Sequence, residues 1–521
     1  MSGASVVLAA ARADFLERVR RYSFLFTLGL ALYFGYMATV GKLTLRVGDS
    51  RGVYNSAWIG GLLAVVGSTF ITLAGFYFVK NSLQRDTETR VGQILAATPI
   101  SRFTYVLGKF VSNFAVLASM IGILALSSII MQLVNGEDRH IHFWKLLAPF
   151  LLVSLPAMAV IAALAIVFET IPFLRGGFGN IAYFFLWTAI LTAPIFTKSL
   201  MCDLSGLFLL QRSIIASHVA PAAEHSFSLS IDAGQFKTTS IFRWEGVSWT
   251  MEVLFSRLVL FVVALLLCVL AAALFDRFDP ARGYRALRAA PVAVAPVLAA
   301  IPLAPPAAVV KLARLDAPLQ RFQFSAVLAA ELRLMLQGQR WWWYSIAAGL
   351  LLAQALIPKA EARGMVLAFA WIWPVLLWSS LGVREMRHQT YQVMFAMPHP
   401  IARQLPAAWL AGVSLAAVTG SGFAFRLLLE RNLPGLAAWA IGALFIPTGA
   451  LCLGVWSSSS KPFEILYTLL WYIGPMHATP MFDFMGSAPA TAATRYPLMY
   501  LALTAILFVL AVAGRKRQLL V

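Results

Sequence analysis

Apolar positions along this chain gather into runs of about twenty residues, and the short segments between them hold most of the charge. At about 1.5 Å of rise per residue, such a run is long enough as a helix to cross a hydrocarbon core of roughly 30 Å. Twelve stretches have this character: 22–40, 57–79, 110–134, 146–168, 180–196, 253–275, 341–357, 365–381, 407–428, 436–456, 463–476 and 497–513. The pattern predicts an all-α polytopic membrane protein. A further apolar stretch, 289–310, contains Pro291, Pro296, Pro302, Pro305 and Pro306. Interior prolines each remove a backbone hydrogen bond, so this stretch reads as a polyproline-like linker instead of a span.

Composition agrees, since 60% of the 521 residues are hydrophobic and only 12% charged. Charge then sets orientation. Arg12, Arg18, Arg20 and Arg21 precede the first run, Lys80, Arg85, Arg90, Arg102 and Lys109 lie between the second and third, and Arg515, Lys516 and Arg517 follow the last. Basic loops stay on the cytoplasmic side, which predicts a protein of the cell membrane with both termini cytoplasmic. The net charge of +19 comes with no nucleic-acid motif or basic soluble domain, so it points to anionic lipid and not to nucleic acid. Cys202, Cys268 and Cys452 have neither disulfide-like nor metal-ligand spacing. The N-terminal charges follow a short apolar stretch instead of preceding it, so no secretory signal is read and the first run stays in the mature protein.

Three polar anchors recur in the same order. LAAARADFLERVRRYSF, from Leu8, resembles LAAELRLMLQGQRWWWY, from Leu328; each reads as an interfacial helix closed by Arg20 or Arg340 before an aromatic span start. DTETRVGQILAATPISR, from Asp86, resembles EMRHQTYQVMFAMPHPIAR, from Glu385, sharing Gln93 with Gln392, Ala97 with Ala396 and Pro99 with Pro398. MCDLSG, from Met201, resembles MFDFMG, from Met481. Ordered polar anchors are not explained by shared Leu and Ala content. They predict a parallel duplication into halves 1–279 and 323–521, joined by a Pro-rich linker 280–322. The expected architecture is two pseudo-twofold-related six-helix bundles, each preceded by an interfacial elbow helix.

Between the second and third runs, Val91, Ile94 and Leu95 recur on one face of a short helix, with Arg90 and Gln93 off it and Pro99 ending it. RVGQILAATPISRFTYVLGK resembles the cytoplasmic loop of ABC-2 type ATP-binding-cassette exporter permeases. The resemblance implies that this loop is a coupling helix touching a separate ATPase. Arg90, Gly92, Gln93, Leu95, Pro99 and Arg102 would belong to it, with Gln392, Met394, Pro398 and Arg403 in the second copy. The second copy departs from the pattern, with Tyr391 in place of Gly92 and M-P-H-P in place of T-P-I-S. FETIPFLRGGFG and SSSSKPFEILYTLLWY also look like the family's secondary contacts, which would involve Glu169, Arg175, Lys461 and Glu464. Alternatively, these charges mark the ends of spans at the headgroup level. The implied partners are two copies of an ATP-binding subunit, the bilayer and an export substrate. ATP and Mg would sit on the partner, with no cofactor on this chain.

Other chemistries lack their residues. No G-x-x-x-x-G-K-[ST] phosphate loop occurs, and Gly35 and Gly41 have the wrong spacing for one. An ion-gradient carrier, the rival of a different mechanistic class, places a titratable group at mid-span; here the run centres have none, and Arg257, Arg426 and Glu464 lie near run ends. A metal-handling or metalloenzyme-maturation role would draw on His140, His142, His218, His225 and His477 with Met201 and Met481 nearby, but two histidines two apart are a weak ligand pattern. No Ser-His or Cys-His constellation marks an enzyme. The segment 198–250 is the largest external feature, with Asp203 placed to cap LSGLFLLQRS. It either braces the bundle or guards an exit.

Overall fold

A computed structural model describes residues 3–20, 22–47, 50–89, 91–98, 100–217, 227–231, 240–278, 323–357, 359–397 and 399–520. The expected linker 280–322 lies outside them. The chain divides into two compact units, Met1–Ala289 and Ala290–Val521.

In the first unit, α1 (Gly3–Val19) leads to α2 (Tyr22–Thr39), and the axis bends by 68° between Ala11–Val19 and Phe24–Thr39. A helix of mixed polar and apolar residues thus precedes the first apolar run. Strands β1 (Leu43–Val47) and β2 (Ser50–Gly52) follow. The Asn55 side chain accepts from the Trp58 amide and starts α3 (Ser56–Val79), which is buried on nearly all sides, as its uniform hydrophobicity requires. Two short helices, α4 (Ser82–Glu88) and α5 (Val91–Ala97), cross to α6 (Arg102–Asn135), where Ser101 caps the Thr104 amide.

The next run is continuous but changes pitch. After α7 (Phe143–Pro149), a π-turn covers Phe150–Ser154 before α8 (Leu155–Thr170). Pro156 has no amide proton to give the preceding turn, and the Leu155 amide bonds five residues back to Phe150 O. Ser154 Oγ sits 2.7 Å from Ser68 Oγ of α3, so the hydroxyl brought inward by the turn finds a partner. Among the described residues, helices α9 (Gly177–Thr197), α10 (Leu207–Ser217) and α11 (Met251–Leu274) follow.

Strands β3 (Phe227–Ile231) and β4 (Ser240–Phe242) join β1 and β2 in a four-stranded sheet of order β3-β1-β2-β4. β1 runs antiparallel to β2 and β3, with Leu43 opposite Ile231, and β2 runs parallel to β4. This sheet adds to the helical expectation. It lies before the start of α3, whereas α4 and α5 lie after its end, so the two features occupy opposite ends of a helix of 24 residues.

The second unit runs α12 (Phe324–Leu336), α13 (Trp341–Leu356), α14 (Ala360–Ile372), α15 (Val375–Trp378), α16 (Arg384–Arg387), α17 (Tyr391–Phe395), α18 (Pro400–Thr419), α19 (Ser421–Leu429), α20 (Leu433–Ser457), α21 (Lys461–Ile473), α22 (Pro489–Ala492) and α23 (Tyr496–Leu520). Among the described residues, eight helices of the chain are long and apolar enough to cross a membrane, or nine if the bent pair at the N-terminus is one span. The remaining expected spans are shorter. Pro374 interrupts 365–381, and Gly474 ends α21 after 13 residues, roughly 20 Å of helix. Large apolar side chains on the outer faces, among them Leu126, Phe196, Leu266 and Val509, are well exposed, an arrangement suited to lipid and costly in water.

The repeated M-x-D motif forms the same kind of turn in each unit. Asp203 accepts from the Gly206 amide at 2.9 Å and the Leu209 amide at 2.8 Å, with Gly206 at φ +80°. Asp483 accepts from the Ser487 and Ala488 amides at 3.1 and 2.8 Å and from Thr491 Oγ1 at 2.7 Å, with Gly486 at φ +65°. The carboxylate closes the turn and glycine supplies the left-handed residue that other side chains resist.

Candidate coupling loops

In the first unit, α4 is fixed at its start by a carboxylate from another helix. Glu169, on α8, accepts from the Ser82 amide at 3.0 Å, Ser82 Oγ at 3.2 Å, the Leu83 amide at 2.6 Å and the Gln84 amide at 3.2 Å. It thus satisfies the open amides of a helix start from a distance in sequence. Arg175 donates from Nε to Glu169 O at 2.6 Å and from Nη2 to Thr170 O at 3.2 Å, covering the end of α8. In the second unit Glu464, in the first turn of α21, accepts from Ser379 Oγ at the end of α15 at 3.0 Å. Both glutamates are buried. The expectation for both was a partner contact or a charge at a span end; in the structure both carboxylates face inward, Glu169 onto the start of α4 and Glu464 onto Ser379. Arg175 stays exposed, and Lys461 is half-buried at the start of α21.

Behind these helices lies a network of ions. Arg85 reaches Asp14 of the elbow at 2.9 Å and Glu17 at 2.6 Å, while Lys109 bridges Asp14 and Asp86, both at 2.7 Å. Tyr105 donates to the same Asp86 at 2.7 Å, and Arg18 donates to Asn113. Burial would raise the Asp14 carboxyl, but Lys109, Arg18 and Arg85 outweigh it and hold it below the ordinary aspartate range. In the second unit, Arg384 meets Glu331 of the elbow at 3.2 Å, Arg515 meets Glu385 at 3.5 Å, and Gln404 donates to Glu385. Here burial wins and pushes the Glu331 carboxyl up; Arg384 offsets it only in part, and Glu385 adds a like charge.

The acids that meet the loop arginines stand at different positions of the two elbows. Matching Leu8 with Leu328 sets Asp14 beside Leu334, but the acid that grips the loop arginine in the second unit is Glu331, three positions earlier. Sequence reasoning also left out Asp14, Arg85, Lys109, Arg384 and Arg515 as working residues. One signal was available: Arg-Asp at 85–86 and Arg-Glu at 384–385 stand at the same distance before Gln93 and Gln392.

The loop helices themselves present a matching surface. Gln93 and Gln392 are exposed, as are Ile94 at 69% and the corresponding Val393 at 73%. Leu95 and Met394 are half-buried behind them, Arg102 begins α6 in the open, and Arg403 is half-buried on α18. Arg90, Pro99 and Pro398 lie outside the described residues. The apolar face of α5 turns only partly into its own bundle: Val91 and Ile94 are exposed, Leu95 is half-buried, and Gly92 is buried. A Cβ at position 92 would stand 2.7 Å from the Phe278 ring, so any larger residue there displaces the ring.

Other candidate groups remain apart. Among the described residues no three His, Cys, Asp or Glu side chains gather as a metal site; His140 and His142 stack with ring centroids 5.9 Å apart, and His477 packs on Tyr472. His218 and His225 lie outside the described residues.

Fold and surface together define a mostly helical, multi-pass membrane protein with two compact units, each holding a short, outward-facing loop helix against a buried ionic base. No family model and no curated protein matches the chain.

Proposed function

We propose that this chain is the membrane-spanning subunit of an ATP-driven exporter, with both permease halves in one polypeptide. The observation that supports it is the repeated loop helix. Each unit places an exposed glutamine and aliphatic pair, Gln93-Ile94 and Gln392-Val393, on a short helix that follows one fixed by buried charge. An exposed apolar side chain on a rigid polar base is what a docking lever needs: the apolar tip gives affinity, and the base transmits displacement.

In this reading twelve helices cross the cell membrane as two pseudo-twofold-related bundles, and both termini and loop helices face the cytoplasm. Two copies of a separate ATPase, which bind ATP and Mg, engage α5 and α17. Closure of the ATPase pair moves the two loops together, and the membrane helices behind them open a path for the substrate. Arg90, Gly92, Gln93, Leu95, Pro99 and Arg102 form the first contact, and Gln392, Met394, Pro398 and Arg403 the second.

Affinity capture of the detergent-solubilised chain from native membranes tests the reading. The expected result is co-purification of a nucleotide-hydrolysing subunit, lost when Ile94 and Val393 are both replaced by lysine while the chain still inserts and folds. Transport by inverted vesicles that needs only an ion gradient, with no ATPase recovered, would overturn it.

A further inference from the structure

In each unit the last membrane helix reaches back to the loop helix. In the first, α11 ends at Leu274, and Phe275 packs with Tyr105 and Phe278, ring centroids 5.1 Å apart in both pairs. The chain then turns through Arg277 at φ 53° and Phe278 at φ 58°. Two successive non-glycine residues in the left-handed region cost about 1–2 kcal/mol each, a conformation kept only where surrounding contacts hold it. Those contacts are with the loop: Phe278 covers Gly92, and Arg277 Nη2 donates to Thr98 O at 2.7 Å. The turn therefore holds both the start and the end of α5.

In the second unit, α23 performs the same task by other means. Arg515 is 2% exposed; its guanidinium lies 5.0 Å from the Phe395 ring centroid and 3.5 Å from Glu385. Arg515 Nη1 donates to Gln518 at 3.1 Å, and Gln518 donates to Val455 O at 2.7 Å, which anchors the arginine to α20. Glu385 Oε2 and Arg515 Nε make no hydrogen bond among the described residues. The first loop is thus held by an aromatic wedge and a backbone bond, the second by a cation set between a carboxylate and a ring.

We propose that the last membrane helix of each unit, through Phe278 with Arg277 and through Arg515, is the element that positions its loop helix. These are positioning residues, acting on the loops from behind and leaving the outward Gln93-Ile94 and Gln392-Val393 surfaces free. The inference rests on the exporter reading for its purpose only, since the geometry it uses lies within each unit.

Hydrogen–deuterium exchange on the full chain, reconstituted in nanodiscs of phosphatidylethanolamine and phosphatidylglycerol, tests it without any ATPase. Phe278→Ala should speed exchange of the amides in 91–97 by about tenfold or more and leave 391–397 unchanged; Arg515→Gln should do the reverse. The conservative variants Phe278→Leu and Arg515→Lys should recover most of the protection. A loop that keeps its protection when its own anchor is removed overturns the proposal. So does faster exchange spread equally over both loops and α3, which would mean general loosening. If exchange behaves as expected but no ATPase is captured, the anchoring stands and only the exporter reading falls.

Discussion

Gly92 stands directly beneath Phe278, close enough that a methyl group at position 92 would lie 2.7 Å from the ring. Gly92→Ala therefore sets two effects against each other. Alanine raises the intrinsic preference of α5 for helix by about 1 kcal/mol, but the ring must leave its place. The expected outcome is a loop that stays helical and loses its docking: exchange in 91–97 rises, while thermal unfolding of the solubilised chain shifts little. Unchanged protection in that segment would show that the ring moves aside without consequence.

The ion pairs should differ sharply in worth. Lys109 is nearly buried and serves both Asp14 and Asp86. Lys109→Met leaves those carboxylates short of a cation and should cost about 3–5 kcal/mol. Arg51 and Glu137 pair at 2.6 Å with Glu137 40% exposed, and Arg51→Met should cost about 0–1 kcal/mol. Unfolding midpoints in mild detergent would compare them, and equal losses would contradict this account.

The elbows should respond to pH with opposite signs. Asp14 is held below its ordinary value, so the folded state binds fewer protons than the unfolded chain. Its contribution is complete above the ordinary aspartate pKa of 3.8 and is lost as pH falls through the depressed value. Glu331, facing Arg384, Glu385 and Arg515, is raised. Its contribution is present below the ordinary glutamate value of 4.5 and is lost as pH climbs through the raised one. Nitroxide labels at the exposed Ala13 and Ala330 should report α1 loosening on acidification and α12 loosening on the alkaline side of 4.5. Parallel responses would show that the two networks are equivalent.

The two aspartate turns invite a direct comparison. Asp203 carries a buried cation with it: Arg257 donates to Asp203 O at 2.5 Å and lies 3.5 Å from its carboxylate. Among the described residues Asp483 is held by hydrogen bonds alone. Asp203→Ala strands Arg257 and should cost about 3–5 kcal/mol, against about 1–2 kcal/mol for Asp483→Ala, the scale of a lost cap. Adding Arg257→Leu to the first variant should return part of the loss, which thermal unfolding would register.

How far the residues announce this structure depends on the range of the interaction. Burial of apolar surface acts over whole helices, so runs such as 57–79 and 110–134 show α3 and α6 within a few residues. The loop helices were readable because Gln93, Ala97 and Pro99 recur in order as Gln392, Ala396 and Pro398, each proline ending a short apolar turn between runs. The placement of Glu169 and Glu464 was not legible, because a charged residue at the edge of an apolar run gives no sign of whether it turns outward or bonds a residue distant in the sequence. The sheet went unread for another reason. LTLRV and FSLSI do alternate, but five residues of alternation between runs of twenty apolar ones are a weak signal, and β1 finds its partner only through long-range pairing. Arg515 reads as one of three basic residues after a span, and only the packed structure singles it out for Glu385.

That pairing also sets an order of assembly. Because Leu43 lies opposite Ile231, the strand made first must wait, its edge unsatisfied, until the ribosome has threaded the intervening helices into the bilayer. The sheet can close only on a chain that has inserted them in the right sense. A newly made first unit with one helix inverted would leave the two strands on opposite sides of the lipid, and the edge of β1 would stay open.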